Sequence, residues 1–219
     1  MIETVCTMAR LASFLERLRH LSWRKIKAHT QRIFYFETEE CIYRITPAEA
    51  LKFPQDPEIR RDRWEDLATY VPAEPGDELE PKLKEWKRRL ASNQHVYTKM
   101  EDGKLAIYGW MIERQKISRL DELKQDVELP PNCAVVYDFY CLPQYRNRHY
   151  YPRMLMHVLH EAAEVPGTEW IHVGVTRSNK VPYWWVNRLR LTHRESYFYR
   201  RVGWKEKKWR QTIATSPEP

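Results

Sequence analysis

The stretch from Cys133 to Val165 (CAVVYDFYCLPQYRNRHYYPRMLMHVLHEAAEV) constrains this chain more than any other. Cys133 to Cys141 is dense in β-branched and aromatic residues, which predicts a central strand. Pro143 ends it, because a residue without an N–H cannot extend a ladder. Gln144 to His149 then packs two arginines and a histidine into one short turn. Pro152 falls near a first helical turn, where its missing N–H costs nothing. Met154, Leu155, Val158 and Leu159 recur at helical spacing and predict a helix packed back on the sheet. A strand feeding a helix through a basic loop makes an anion site. The first helical amides have no partner of their own, and the helix dipole favours negative charge there.

The segment LPQYRNRHYY resembles the acyl-CoA diphosphate loop of the GNAT-type N-acyltransferase superfamily. That pattern is a strand, then roughly V-x-P-x-Y-R-G-x-G-x-G/A, then a helix. Cys141 falls at the strand valine, Pro143 at the proline, and Tyr145 and Arg146 at the Tyr-Arg pair. Asn147, His149 and Tyr151 fall where the family mostly has glycine, which matters because successive amides must face the diphosphate at permissive backbone angles. Downstream, the run from Tyr197 to Trp204 (YFYRRVGW) is similar to the family's F-Y-x-x-x-G-F signature at the end of its last helix. Between the two motifs, Trp170 to Thr176 (WIHVGVT) matches the strand that splays away from the first. The resemblance runs from about Gln94 to Trp209. It implies a mixed α/β fold with one GNAT-like domain, whose central sheet is mixed but mostly antiparallel and flanked by helices. It also implies acetyl-CoA or another acyl-CoA as donor.

Acyl transfer from a thioester needs a donor to the acyl carbonyl, a base for the amine and an acid for the departing thiolate. By the resemblance, amides around Cys141 and Leu142 hold the pantetheine arm. Arg146, Asn147, Arg148, His149, Tyr150 and Tyr151 form the phosphate cradle, and Asn179 contacts the arm after the splayed strand. Tyr199 falls at the family's frequent general-acid tyrosine, in what reads as the last helix, with Tyr197 as its wrong-face neighbour. Asp138, mid-strand among apolar residues, is a candidate base. Glu113 on the adjacent strand and His172 in the splayed strand are two more. An ion pair is the competing reading for Asp138, and a structural role for the histidine.

Elsewhere the pattern divides the chain into an N-terminal arm (1–30), the main domain (31–213) and a tail (214–219). Met8 to Ala28 reads as a basic amphipathic helix. Arg32–Glu37 and Cys41–Ile45 read as two strands joined by an acidic turn, and Pro47 to Pro57 as irregular. Glu58–Tyr70 and Pro81–Asn93 read as helices. Between them Val71 to Pro81 is an acidic, proline-rich loop and a candidate lid. His95–Met100 and Lys104–Arg114 read as a hairpin around Asp102-Gly103, with Gly109 marking a bulge or a close backbone approach. Ser118 to Pro131 reads as a polar linker. Arg177 to Arg194 is an aromatic, short-helical insert. Glu195–Val202 reads as the last helix with Gly203 as its C-cap, and Trp204–Ile213 as a closing strand or hairpin.

With 219 residues and 42% hydrophobic content the chain is long enough for a full core. Its formal charge of +7 suits an anionic ligand or an acidic partner. The four cysteines are scattered, with no CxxC, so no metal site is expected. Charges interrupt every apolar run, so no membrane span is expected, and the cytoplasm is the default compartment. The activity these features imply is direct transfer from acyl-CoA to a small-molecule amine or peptide acceptor in a ternary complex. A synthase fed by an acidic acyl carrier protein, of the N-acyl amino acid or acyl-homoserine-lactone type, is the alternative. A non-catalytic binding module on the same fold is another. Nucleic-acid binding is the weakest, since no recognition motif accompanies the charge.

Overall fold

The computed structural model describes residues 35–74, 77–114, 117–120 and 123–213. The expected arm, its amphipathic helix and the tail lie outside the described residues. The described chain runs β1 (Tyr35–Ile45), α1 (Pro47–Ala50), β2 (Ile59–Arg61), α2 (Trp64–Leu67), α3 (Leu79–Ala91), β3 (Gln94–Glu101) and β4 (Lys104–Glu113). A small hairpin follows, β5 (Ile117–Leu120) and β6 (Gln125–Glu128). Then come β7 (Cys133–Cys141), α4 (Tyr150–Glu164), β8 (Trp170–Thr176), α5 (Lys180–Arg188), β9 (Thr192–Val202) and β10 (Lys205–Thr212). One eight-stranded sheet has the order β10-β9-β1-β8-β7-β4-β3-β2, and β5-β6 forms a separate two-stranded sheet. In the large sheet only β7 and β8 run parallel.

The expected strand, loop and helix are all present. Met154, Leu155, Val158 and Leu159 of α4 are fully buried against Tyr43, Val136, Ile171 and Val173. On the opposite face of β3 and β4, α2 and α3 close a second core around Trp86, Tyr108 and Trp110. The turn at Asp102-Gly103 takes left-handed angles at both residues (φ 50° and 71°), as a tight hairpin of this twist requires.

Several expectations give way. Residues 35–45 form one continuous strand rather than two. The acidic run between them is not a turn, because Glu37 pairs with Arg200 and Glu39 accepts from Ser196 across the ladder. Pro47–Ala50 is helical, held by a capping box between Thr46 and Glu49. Glu58–Tyr70 is not one helix. Ile59–Arg61 pairs with β3, and Asp62 breaks the chain at φ 55°, its carboxylate accepting from the amide of Val96 at 3.0 Å. The segment read as a polar linker carries most of β5 and all of β6; Leu123, in the connection between them, and Val127 of β6 pack against Tyr197 and Tyr199 of β9.

The largest correction concerns the last helix. Glu195–Val202 is part of strand β9, and Gly203, at φ 58°, lies in its turn to β10. The residues alternate with a period of two. Tyr197 and Tyr199 point together into a cluster with Phe36, Leu123 and Val127, while Phe198, Arg200 and Val202 take the other face. The helix that follows the splayed strand is instead α5, within the segment read as an insert.

Candidate functional site

Strands β7 and β8 pair only from Cys133 to Val136 against Trp170 to Val173. Beyond that they part. Towards β4, the register of β7 slips between Tyr108 and Trp110, so three steps on β7 oppose two on β4. The extra residue is Asp138, at φ 50°. Gly109 makes room for the bulge: a Cβ there would lie 2.6 Å from the Phe139 ring. The bulge thus falls on the strand opposite Gly109, and the close approach there is made by the Phe139 ring rather than by backbone. The amide of Leu142 donates to the carbonyl of Ala106 at 3.0 Å. Leu142 therefore cannot offer its amide to a ligand, contrary to expectation. Antiparallel alternation turns the amide and carbonyl of Cys141 the other way, into the splay.

At the mouth of the splay the loop bends sharply. Pro143–Tyr145 makes a 3₁₀ turn, then Asn147 and His149 adopt φ 67° and 59°. The left-handed angles that glycine would supply are thus reached without it. Tyr151 needs none, because it lies inside α4, with its ring edge-on to Phe139 at 5.7 Å. Among the described residues, none accepts a hydrogen bond from the amides of Asn147, Arg148, His149, Tyr150 or Tyr151. Such a run with alternating backbone hand, ending at the start of a 15-residue helix, is an anion nest.

Acids hold the side chains of this loop. Arg146 pairs with Glu74 of the acidic loop at 2.6 Å and donates through Nε to the Cys141 carbonyl at 3.1 Å. Arg148 and the Tyr150 hydroxyl share Glu101.

A cavity of about 750 Å³ continues from the splay across the sheet face beneath the β5–β6 hairpin. Tyr137, Asp138 and Phe139 of β7 line it, as do His172 and Gly174 of β8, Asn179 and Pro182 of α5, and Glu195 and Tyr197 of β9. Asn179 caps α5, with its amide on the Thr176 carbonyl and its carbonyl accepting from Tyr183. Asp138 is ion-paired with Arg89. Burial, with Arg44 nearby, holds the His172 imidazole below its ordinary range, so it stays neutral. The Tyr197 hydroxyl donates to Glu195 at 2.8 Å, and burial together with that carboxylate keeps it a phenol. Burial pushes the Cys141 thiol up to about 11, which leaves no thiolate at the splay near neutrality.

The structure brings Asp138, Tyr151, His172 and Asn179 to the cavity. Tyr199 does not reach it. It is buried outside the cavity, donating to Glu206 at 2.7 Å. Glu113 stands at the other end of β4, paired with Arg61 at 2.9 Å and near His95 at 3.2 Å. Tyr197 and Glu195 are the wall residues that a helical reading of β9 misplaced. Their period-two alternation was the available signal.

No protein-family model matches the chain, and no curated protein matches its sequence. The architecture is a mixed sheet split by a splay between two parallel strands, with a helix starting at the split. Solved structures share it, and it is the GNAT N-acyltransferase fold. An acetyltransferase of the GNAT family from Colwellia psychrerythraea aligns with a TM-score of 0.50 at 11% identity, over 73% of this chain and 53% of that one. A conserved protein of unknown function from Staphylococcus epidermidis aligns at 0.51 and 6% identity, over 82% and 67%. A Drosophila protein aligns at 0.50 and 13% identity, over 88% and 59%. The chain spans about half to two thirds of the length of these structures.

Proposed function

We propose that this protein transfers an acyl group from an acyl-coenzyme A to an amine. The observation that carries the reading is the nest: the amides from Asn147 to Tyr151 find no acceptor among the described residues, with left-handed angles at Asn147 and His149, at the mouth of the splay between β7 and β8. The nest takes the diphosphate, and the Cys141 amide takes the pantetheine or acyl carbonyl. The amine enters the cavity. His172, held neutral on its wall, is the best-placed proton acceptor, while Asp138 is occupied by Arg89. With Tyr199 outside the cavity, the thiolate takes its proton from Tyr197 or from solvent. The protonated, buried thiol of Cys141 supports direct transfer without a covalent enzyme intermediate. Acetyl-CoA is the simplest donor, and the acceptor is a small amine or a peptide terminus.

Isothermal titration with acetyl-CoA tests the donor site. Micromolar affinity is expected, and Arg146→Ala should weaken it about tenfold or more at low salt, as loss of a charge-assisted phosphate contact does. Binding of an acyl carrier protein but not of coenzyme A would move the reading to a carrier-dependent synthase. Binding of neither would leave only the architecture.

A further inference from the structure

The cavity beneath the β5–β6 hairpin has a floor set by strand register. Ile42 of β1 lies opposite Gly174 of β8 and Glu195 of β9, and Glu40 lies opposite Thr176 and Tyr197. All six line the cavity. Gly174 has no side chain to fill its place, and the Glu40 carboxylate leans towards it: a Cβ on Gly174 would lie 3.1 Å from Glu40 Oε1. Burial and, after it, the Glu40 charge raise the Tyr151 phenol, which puts this carboxylate within electrostatic reach of α4 at the splay. His172 is two residues from Gly174 on the same face of β8. Glu40 therefore stands where the splay opens into the cavity, near the neutral imidazole.

Charge on the wall runs against that of the chain. The whole protein is +7, but the lining residues carry four carboxylates, Glu40, Glu128, Asp138 and Glu195, against the two guanidiniums of Arg89 and Arg210. Both guanidiniums are engaged, Arg89 by Asp138 and Arg210 by Glu195. An anionic group would have to compete with carboxylates already in place. Glu128 is exposed, so water and salt screen it. Among the described residues, no group of three or more His, Cys, Asp or Glu is placed to hold a metal ion. The other side of the cavity is apolar: Leu120, Leu123, Val127 and Leu129, from the hairpin and its flank, gather against Ile42.

We infer that the cavity takes a primary amine carried on an apolar body, and that Glu40 is the residue that binds its ammonium. The carboxylate accepts from the ammonium beside Gly174, while the alkyl or aryl part lies on Ile42 and under the hairpin leucines. A long acyl chain would suit the leucines but not the carboxylates. An amino acid would set its own carboxylate against acids, and a diamine would bury its second ammonium among leucines. The inference rests on the acyltransfer reading for what the amine is used for, whereas the binding chemistry stands on the wall alone.

The test is calorimetric titration of the full chain, without donor, with four matched ligands: hexylamine, 1,6-diaminohexane, 6-aminohexanoate and hexanol. Hexylamine is expected to bind with a Kd of about 1 mM or tighter. The other three should bind at least about tenfold more weakly, since each loses one part of the match. Glu40→Gln should weaken hexylamine about tenfold or more and bring it level with hexanol. Gly174→Ala keeps the charge but crowds it, and should weaken hexylamine about threefold. The proposal is overturned by equal or tighter binding of the diamine or the aminohexanoate, by no heat from hexylamine at about 20 mM, or by indifference to both variants. Circular dichroism of the variants separates a lost contact from a lost fold, and the order of the four ligands on the unaltered chain decides the matter if Glu40→Gln does not fold. Coenzyme A titration and thiol release from acetyl-CoA test the acyltransfer reading separately. A chain that binds the four ligands in the expected order, yet neither binds coenzyme A nor releases thiol, keeps the amine site and loses the enzyme.

Discussion

The splay divides the large sheet into two halves that were assembled differently. On one side β2, β3, β4 and β7 lie in chain order, each antiparallel to the last. On the other side β8, β9 and β10 also follow chain order, but β1 is inserted between β8 and β9, from the far end of the described chain. The first half grows by pairing each strand with the one before it, with one tight hairpin at Asp102-Gly103. The second closes only through pairing of its earliest strand with its last ones. The site lies on the seam, with the bulge and nest contributed by one half and the cavity wall shared between both halves and the β5–β6 hairpin.

The largest test of this contrast is to remove one anchor from each half. Tyr43 of β1 is buried, stacked on His193 at 4.9 Å and edge-on to Tyr183. Trp86 of α3 is its counterpart across the splay, buried between Tyr70 and Tyr108. Each change to alanine should cost about 3–5 kcal/mol in denaturant unfolding. A Tyr43→Ala cost below about 1 kcal/mol would mean that β1 is an accessory and the halves are not integrated.

Gly109→Ala acts at the seam itself. The added methyl meets the Phe139 ring, so a loss of about 1–3 kcal/mol is expected, with weaker donor binding as the bulge shifts. Combining it with Phe139→Leu should recover part of both. Failure of that rescue in calorimetry would show that the bulge is held by something other than this contact.

A smaller effect separates the nest from ordinary loop. His149→Val places a β-branched residue at φ 59° and should destabilise by about 1–2 kcal/mol, whereas His149→Gly should be near neutral. Equal effects from the two changes would argue against the left-handed turn.

The smallest test is of pH. Burial and Arg44 keep the folded His172 imidazole below its ordinary 6.5. The unfolded chain therefore takes up this proton first. Stability from the group is whole above about pH 6.5 and is lost as pH falls below it. His172→Gln should flatten this part of the pH profile of melting temperature; an unchanged profile would assign it to His157, which burial lowers in the same direction.

The contrast also explains what the sequence made legible. Cys133–Val165 carried its own punctuation, because strand propensity, proline and amphipathic spacing all act within a few residues. Asp102-Gly103 and Gly109 were readable for the same reason: each answers to a steric demand at one position. The left-handed angles at Asn147 and His149 were not readable, since those residue types merely tolerate what glycine prefers. Tyr199 was misplaced because a family-like string of letters outweighed a period of two. The partners that decide it, Phe36, Leu123 and Val127, lie far away in sequence. Glu37 to Glu40 looked like a turn because the residues that satisfy Glu37 and Glu39, Arg200 and Ser196, come from the other end of the chain.

The placement of β1 has a consequence for biogenesis. Residue 40 pairs with residue 176 on one side and residue 197 on the other. As the chain leaves the ribosome, this strand emerges long before either of its neighbours. The sheet on the far side of the splay therefore closes only once β8 and β9 have been made, through loop closures of high sequence separation, and should do so slowly. Until then both ladders of β1 stand open, two unpaired edges of the kind that invite pairing with another chain.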